Sequence, residues 1–233
     1  MAYFITGRNG FIGKNLVRYL IQKGERITDK LEEATHVIHL AAYGNHYNQT
    51  DPKETIQANL IMLCDLLERS NHVEKFYNIS TSSVHLPVQT FYSLTKSLGE
   101  KIIDTKDDRF VNVRPYSVYG IGEAKHRLIP TIICHLHTGE PMELDTKAVH
   151  DWIYVDDFIE QMLQGETEVG SGIQYTNKDI ADALEIISGR KLNYTNAKLR
   201  HYDTKNWKSP KRLNVRSIFT GLKQTYDYYR TNN

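Results

Sequence analysis

The sequence has only two cysteines, Cys64 and Cys134, among its 233 residues. Two cysteines are too few for a disulfide framework, and no C-x-x-C pair is present to favour a zinc site. The first residues lack the charged start and the long apolar core of a signal peptide. We therefore expect the protein to work in a reducing cytoplasm.

An excess of charge and a long apolar run are missing as well. Lysine and arginine number 29 against 28 aspartate and glutamate, for a formal net charge of +1. A protein that binds nucleic acid mainly through phosphates needs a basic excess, so no nucleic-acid partner is expected. No apolar run approaches the roughly 18–20 residues of a membrane span, so no membrane partner is expected either. The composition is that of an ordinary globular protein.

Strand-like and helix-like segments alternate along the first half of the chain. Short runs of β-branched and aromatic residues predict buried strands, and apolar residues at helical spacing between them predict helices. Such alternation favours right-handed β-α-β units and an α/β fold with a doubly wound parallel sheet. The predicted strands are residues 3–6, 37–40, 75–79 and 110–113, and the longer predicted helices are 53–69 and 91–105.

Three glycines, Gly7, Gly10 and Gly13, lie between the first predicted strand and the first predicted helix. Glycines let the chain turn sharply and let a pyrophosphate approach the backbone amides, while the helix N-terminus offers free N–H groups. In this context the spacing favours dinucleotide binding, although the alternative is simply a tight turn. Asp29 is the candidate to hold the adenosine ribose, or else the first residue of a short helix at 30–34. Arg8, Arg26 or Lys30 would instead meet a 2′-phosphate, so NAD and NADP both stay open.

The alternation weakens after about residue 114. We expect residues 1–165 to form mainly the dinucleotide-binding part of the chain. A small substrate lobe is expected mainly over 166–233, with contributions from residues near 115–150. Within this lobe a strand, a helix and a strand are predicted over 172–194, with Asn177 as the N-cap and Gly189 as the stop.

Tyr92 and Lys96 stand four residues apart on one predicted helix face. A nearby ammonium favours the phenolate and lowers the tyrosine pKa towards the range of a general base. On its own this pair is more often a solvated helix face. The hydroxyl cluster Ser80–Ser83 changes the balance, because it follows a predicted strand at the carboxyl edge of the sheet, where sites of doubly wound folds lie.

Taken together, these segments resemble the extended short-chain dehydrogenase/reductases, the NAD-dependent epimerase/dehydratase family that modifies nucleotide sugars. The resemblance covers nearly the whole chain and implies a Rossmann-like sheet with a small C-terminal substrate-binding lobe. The segments that carry it are Thr6–Gly13, His39–Ala42, Asp51–Pro52, Asn59, Ile79–Thr81, Tyr92–Lys96, Val113–Gly120, Leu128–Pro130, Asp151–Asp157 and Thr220–Thr225.

The resemblance implies roles for individual residues. Tyr92 is the expected acid/base, Lys96 its pKa tuner and ribose anchor, and Thr81 the hydroxyl that orients the reacting oxygen. The cofactor, NAD or NADP, is expected at Gly7, Asn9, Gly10, Phe11, Ile12, Gly13, Asp29, Leu40, Ala41, Ala42, Asn59, Tyr92, Lys96 and Pro115. The nucleotide-sugar substrate is expected at Ser82, Ser83, Ser117, Leu128, His150 and Arg200.

The chain also departs from the family pattern. It is short, and only ten residues separate Thr81 from Tyr92. His150 stands where many members have a phosphate-binding arginine, and the candidates to replace that charge are Arg200, Lys208, Lys211 and Arg212. Ser117 stands where many members have an asparagine.

Ser82 and Ser83 stand where a 4,6-dehydratase carries an acidic pair, which argues against dehydration. A nucleotide-sugar 4-epimerase is the first expectation, and an NAD(P)H-dependent 4-keto-sugar reductase is the second. A non-catalytic NAD(P)-binding regulator on the same fold is the alternative from another class. The resemblance also implies a homodimer that pairs the helices 53–69 and 91–105. Apolar positions such as Leu60, Leu63, Leu94 and Leu98 suit either this interface or the core. No metal site is expected, because the close histidine pairs, His36 with His39 and His135 with His137, do not share a face.

Overall fold

A computed structural model describes residues 1–45, 48–198 and 206–231. The chain divides into two compact units. The first comprises residues 1–115 and 162–167, and the second comprises residues 116–161 and 168–233. None of the helices in the described residues is long and apolar enough to span a membrane.

The first unit is built on a parallel sheet, as the alternation predicts. Its strands follow the order β2-β1-β3-β4-β5, with β1 between β2 and β3. The direction of winding therefore reverses at β1, and the loops after β1 and β3 separate at this switch point. The strands are β1 Ala2–Thr6, β2 Arg26–Ile27, β3 His36–His39, β4 Lys75–Ile79 and β5 Phe110–Pro115.

The helices of the first unit agree closely with the predicted ones, with one irregularity. The helix predicted at 53–69 contains a π-helical stretch, Gln57–Ile61, between two α-helical parts. Leu63, Leu66 and Leu67 face the core, whereas Ile56, which has the same helical spacing, is 40% exposed. The helices are α1 Phe11–Gln22, α2 Pro52–Ile56, α3 Met62–Arg69 and α4 Phe91–Ile103.

One face of this sheet carries the main apolar core. Val37, Phe76 and Phe110 stand side by side on β3, β4 and β5, and they pack against Leu63 and Ile103 of the covering helices. Burying large apolar side chains in this way stabilises each by about 1.5–3 kcal/mol relative to exposure. The core therefore holds the sheet and α3–α4 together, which positions the residues at the strand ends.

The second unit combines short strands with helices. β8 pairs parallel with β6 and antiparallel with β10, and β7 pairs with β11. Gly189 ends α7 with a φ of 68°, as predicted, but the N-cap is Thr176, not Asn177. The elements are β6 Ser117–Tyr119, α5 Leu128–Thr138, β7 Met142–Leu144, β8 Val149–Tyr154, α6 Val155–Leu163, β9 Glu168–Val169, β10 Gln174–Thr176, α7 Asn177–Ser188, β11 Tyr194–Asn196 and α8 Ile218–Thr231.

Asp151 on β8 ties three segments of the second unit together. Its carboxylate accepts hydrogen bonds from Ser171 N and Ser171 Oγ at 2.6 and 2.7 Å, and from Gly172 N and Ser209 N at 2.9 and 2.8 Å. The side chain is buried, at 1% exposure. Buried carboxylates require such donors, because a desolvated charge without them is costly.

A second buried carboxyl of this unit, Glu123, has fewer partners. Its Oε1 lies 3.6 Å from Arg127 Nε, and its Oε2 has no hydrogen-bond partner among the described residues. Burial raises the pKa of Glu123 to about 7, and Arg127 lowers it only in part. The folded protein therefore retains this proton at pH values where the unfolded chain has lost it.

We predict that Glu123→Gln stabilises the protein at pH 8 by about 1–3 kcal/mol and has little effect near pH 4. Because the folded pKa is raised, the free energy of unfolding of the wild type falls as pH rises from the ordinary glutamate value to about 7. Urea unfolding across this range measures the difference. Glu68→Gln, an exposed acid on α3, is the control, and equal effects of both variants at pH 8 would contradict the prediction.

Candidate active site

The glycine loop joins β1 to α1 at the switch point of the sheet. Gly7 has a φ of 69°, and a Cβ there would lie 2.8 Å from Ala41 N. A Cβ on Gly13 would lie 2.3 Å from the carbonyl oxygen of Gly7. Both glycines are therefore required by the close approach of backbone to backbone. Gly10 is different, since its φ of −74° suits any residue and a Cβ would meet only Gly7 O, at 3.3 Å.

The N-terminus of α1 carries no capping side chain. Gly10 is the N-cap, and Phe11, Ile12 and Gly13 form the first turn. The N–H groups of such a turn and the helix dipole favour an anion. The loop thus has the open backbone that a dinucleotide pyrophosphate requires, and the position of the cofactor stays a prediction.

Asp29 and Arg8 form an exposed ion pair beside this loop. Asp29 does not begin a helix, because the short 3₁₀ helix that follows is Leu31–Glu33 with Lys30 as its N-cap. Lys30 and Arg26 both pair with Glu33. The carboxylate is suited to ribose hydroxyls and the guanidinium to a 2′-phosphate, so both cofactor types keep a recognition group here.

Asn59 braces the loop that follows β3. Its Oδ1 accepts a hydrogen bond from Tyr43 N, and its Nδ2 donates to Tyr43 O and to Thr95 Oγ, each at 2.9 Å. The side chain lies in the π-helical stretch and is 2% exposed. These contacts connect the segment after Leu40–Ala42 to α4. The side-chain hydrogen bonds described for Asn59 therefore go to other residues of the protein, and its contact with the cofactor stays a prediction.

Helix α4 presents the tyrosine and the lysine. Thr90 and Ser93 form a capping box at its N-terminus. Tyr92 is half-buried, and Lys96, one turn later, is 3% exposed. Desolvation lowers the pKa of Lys96 to about 8, and Glu100, one further turn along, opposes this shift. An ammonium buried one helical turn from a phenol is the arrangement that favours proton transfer through the tyrosine.

Glu100 lies one turn after Lys96 on α4 and forms an ion pair with Arg114. This pair was not predicted from the sequence. Arg114 Nε and Nη2 each donate to a different carboxylate oxygen of Glu100, both at 2.8 Å. Glu100 is nearly buried, and Arg114 belongs to the strand that ends at Pro115. A bidentate pair of this kind fixes the carboxylate. The spacing of Glu100 four residues after Lys96 was the available signal.

Thr81 lies at the carboxyl end of β4, as expected. Its Oγ accepts a hydrogen bond from Ser83 N at 3.2 Å, which caps the 3₁₀ helix Ser82–His85, and this helix contacts α4. Gln89 Nε2 donates to the carbonyls of Ser83, Val84 and Leu86 at 3.2, 3.0 and 2.7 Å. The hydrogen bonds of this one glutamine therefore stabilise the short connection between Thr81 and Tyr92.

Two predicted substrate residues meet in the second unit. Ser117 Oγ lies 3.4 Å from His150 Nδ1, and the His150 ring lies 5.3 Å from Trp152 and 5.6 Å from Trp207 between ring centroids. Leu128 is the first residue of α5. Arg200 lies outside the described residues. Within the part of the chain that the structure describes, no group of three or more His, Cys, Asp or Glu side chains is arranged for a metal ion.

A parallel sheet whose glycine loop lies at the switch point defines the dinucleotide-binding class of doubly wound α/β proteins. The chain belongs to the NAD dependent epimerase/dehydratase family, whose model matches residues 25–175, more than half of the sequence. The matched segment contains Thr81, Tyr92 and Lys96 and begins after the glycine loop. The predicted fold class and family are thereby confirmed.

Several known proteins are similar over most of the chain. The UDP-glucose 4-epimerase of Thermus thermophilus in complex with NAD has a TM-score of 0.83 and 21% identity, over 99% of both chains. RMD from Pseudomonas aeruginosa, complexed with NADPH, has a TM-score of 0.85 and 20% identity, over 100% of this chain and 99% of that chain. The low-salt glycan biosynthesis protein Agl12 of Haloferax volcanii is 24% identical over an alignment that covers 81% of this chain and 83% of Agl12.

We predict that Gly10→Val weakens binding of NAD(H) and NADP(H) by about tenfold or more, because the side chain occupies the space that a pyrophosphate needs. The backbone at Gly10 permits valine, so folding should be retained, whereas Gly13→Ala should fail to fold. Titration calorimetry measures the affinity and circular dichroism the fold. Ile21→Val is the control, since it places the same side chain at a position of α1 that is 60% exposed and near the other end of the helix. Full affinity in Gly10→Val would refute this position for the cofactor.

Proposed function

We propose that the protein is an NAD- or NADP-dependent enzyme that oxidises and reduces a sugar carbon of a nucleotide sugar, and that it works as a 4-epimerase. The observation that carries the proposal is helix α4, which presents Tyr92 one turn from the buried Lys96 and contacts the turn that follows Thr81. Membership of the epimerase/dehydratase family and the likeness to a UDP-glucose 4-epimerase with NAD support it.

The residues of the first unit would hold the cofactor in two places. The N–H groups around Gly10 would bind the pyrophosphate, with Asp29 or Arg8 beside the adenosine ribose. The Lys96 ammonium would anchor the second ribose. Bound NAD or NADP supplies the acceptance and return of a hydride at the sugar carbon.

The protein itself supplies the movement of the proton. Tyr92 Oη takes the proton from the sugar hydroxyl during oxidation and returns it during reduction. The Lys96 ammonium favours the phenolate form of Tyr92. Because Lys96 is buried, water screens its charge less and the effect on Tyr92 is larger. Thr81 orients the reacting oxygen by a hydrogen bond. Ser82 and Ser83 are proposed to bind the nucleotide sugar. For Ser117, Leu128 and His150 of the second unit, substrate binding stays what the family resemblance implies.

A 4-keto-sugar reductase is the second candidate. The adenosine side of the first unit is small, since β2 has only two residues, and this favours a cofactor that exchanges. Likeness to a structure complexed with NADPH agrees with this alternative. A panel of nucleotide sugars with and without added cofactor separates the two. Turnover without added NAD supports the epimerase, and stoichiometric oxidation of NAD(P)H by a keto sugar supports the reductase. No turnover of any substrate would favour the non-catalytic regulator.

We predict that Tyr92→Phe retains cofactor binding and lowers turnover by about 10²–10⁴, the usual contribution of general acid–base catalysis. Lys96→Ala should impair both turnover and cofactor affinity, because the ammonium is assigned to each. Steady-state kinetics and calorimetry measure the two effects. Tyr19→Phe, on the outer helix α1, is the matched control and should be fully active. An active Tyr92→Phe would rule out the proposed chemistry.

We also propose a cytoplasmic homodimer. The two free cysteines support a reducing compartment. A patch of exposed apolar residues lies on the π-helical stretch, α3 and α4, and the π-helical stretch contacts both helices. Neighbouring exposed apolar side chains are typical of contact sites, so the patch supports self-association. Leu94 and Leu98 belong to this patch, whereas Leu63 lies in the core. The patch consists of Ile61 44%, Met62 42%, Phe91 47%, Leu94 52% and Leu98 49% exposed.

For the dimer, we predict that Leu94→Glu with Leu98→Glu converts a dimer into a monomer. Two carboxylates at the centre of an apolar contact are costly to desolvate, so the dissociation constant should rise by about 100-fold or more. Sedimentation velocity at micromolar concentration measures the change. Ile186→Glu, at a residue 73% exposed on α7, is the control. A monomeric wild type would refute the proposal.

A further inference from the structure

The core face of the sheet changes from apolar to polar between two successive rows of side chains. The strand register aligns the apolar row Phe4, Val37, Phe76 and Phe110. Two residues further along, the same register aligns the polar row Thr6, His39, Asn78 and Asn112. Residues two apart on a strand share a face, so both rows face the same helices. The polar row lies at the carboxyl edge of the sheet.

Hydrogen bonds link the polar row at both ends. Ala41 N donates to Thr6 Oγ at 3.2 Å, and Thr6 Oγ lies 2.8 Å from His39 Nδ1. At the other end Asn78 Nδ2 donates to Asn112 Oδ1 at 2.8 Å. Asn112 Nδ2 then donates to Asp104 Oδ1 at 2.9 Å. The row therefore extends from the loop after β3 to an acidic residue just beyond α4.

The direction of these bonds selects one form of the His39 ring. Among the described residues, Thr6 Oγ contacts only Ala41 N, which is a donor, and His39 Nδ1. The threonine hydrogen thus goes to Nδ1, which must be an acceptor. Desolvation, with the nearby Lys96 ammonium, lowers the pKa of His39 to about 3, so the ring is neutral. Its hydrogen is therefore on Nε2.

Three polar atoms in the middle of the row have no hydrogen-bond partner among the described residues. They are His39 Nε2, Asn78 Oδ1 and Ser80 Oγ. The three residues are 1%, 1% and 3% exposed. His39 is the register partner of Asn78, and Ser80 is two residues further along the same strand face. The register therefore places a donor, an acceptor and a hydroxyl on neighbouring positions of one buried sheet face.

We propose that one internal water molecule binds among these three groups. The water completes the hydrogen bonding of the His39 ring, and His39 acts as a positioning residue. The water accepts from His39 Nε2–H, donates to Asn78 Oδ1 and bonds to Ser80 Oγ. Three hydrogen bonds are typical of buried water, and a buried polar group without a partner is destabilising. The result is one directional chain of donors that runs from Ala41 N to the Asp104 carboxylate.

The chain connects the parts of the candidate site, and in this respect it rests on the proposed function. Thr6 precedes Gly7 of the glycine loop, Ala41 lies in the loop after β3, and Ser80 precedes Thr81. His39 and the water would hold these three segments in mutual register without adding a charge beside Lys96. The polar row therefore acts through cofactor positioning and not through contact with the reacting atoms.

Two measurements on the unmodified protein test the water and the ring. Long-range ¹H–¹⁵N correlation spectra should show His39 neutral with its hydrogen on Nε2 at pH 7, with His39→Gln identifying the signal. A hydrogen on Nδ1 or a doubly protonated ring would overturn the proposal. A crystal structure of the full chain should show the water bonded to all three atoms. A direct bond between His39 Nε2 and Asn78 Oδ1 would overturn it as well.

A variant tests the positioning role. Asn78→Leu removes one partner of the water and should weaken NAD binding by about tenfold while kcat at saturating cofactor falls less than twofold. Tyr77→Phe, on the opposite face of the same strand, is the matched control. Unchanged NAD affinity in a folded Asn78→Leu would overturn the role of the row. If Asn78→Leu fails to fold, Ser80→Ala with the spectra above decides. Because the spectra do not depend on turnover, an inactive wild type with the expected His39 signal would count against the proposed function alone.

Discussion

Burial of the Lys96 ammonium is the constraint on which the first unit depends. A charge removed from water is unfavourable unless an opposite charge or hydrogen bonds compensate it. For Lys96 the opposite charge comes from the next turn of the helix. Glu100, one turn away, favours the charged form, while Arg114 holds the Glu100 carboxylate in a bidentate pair. Arg114 thereby fixes the position of the Glu100 carboxylate. The ammonium stays available to act on groups brought next to it.

The same sheet face serves both stability and chemistry because its character changes along the strands. The row of Val37, Phe76 and Phe110 buries apolar surface against α3 and α4. The next row contributes neutral polar groups where the strands end, beneath the buried lysine. A wholly apolar face would have increased the desolvation of Lys96, and a charged one would have neutralised it. Uncharged polar side chains leave the ammonium as the dominant charge.

Local patterns made most of the first unit predictable. A strand, a glycine loop and an amphipathic helix follow one another directly, so the switch point, and Tyr92 and Lys96 on α4, were visible in the sequence. The sequence prediction was wrong where contacts with neighbouring residues determine the N-cap of a helix, and helical spacing alone does not determine which side chains face the core. Asn177 and Thr176 are both good caps, and the capping box with Asp179 selects the threonine. Ile56 matched the helical period, yet the π-helical stretch after it changes which residues face inwards.

The contacts that sequence reasoning missed join distant segments. Glu100 and Arg114 lie on a helix and on the following strand, and Asn78 and Asn112 are brought together only by strand register. No local pattern contains that register. Polar residues inside predicted strands were the one sign that those strand ends are more than core. Polar residues near the ends of neighbouring parallel strands therefore indicate a polar row across the carboxyl edge of the sheet.

The four hydrogen bonds of Asp151 bear on how the second unit assembles. Its carboxylate receives donors from residues 20 and 58 positions further along the chain. Three of the four donors belong to Ser171 and Gly172, and both carboxylate oxygens have a partner before the chain reaches Ser209. Ser209 N adds the fourth bond to a carboxylate that is already largely satisfied. We expect the segment at residue 209 to close over this unit late in synthesis and not to nucleate it.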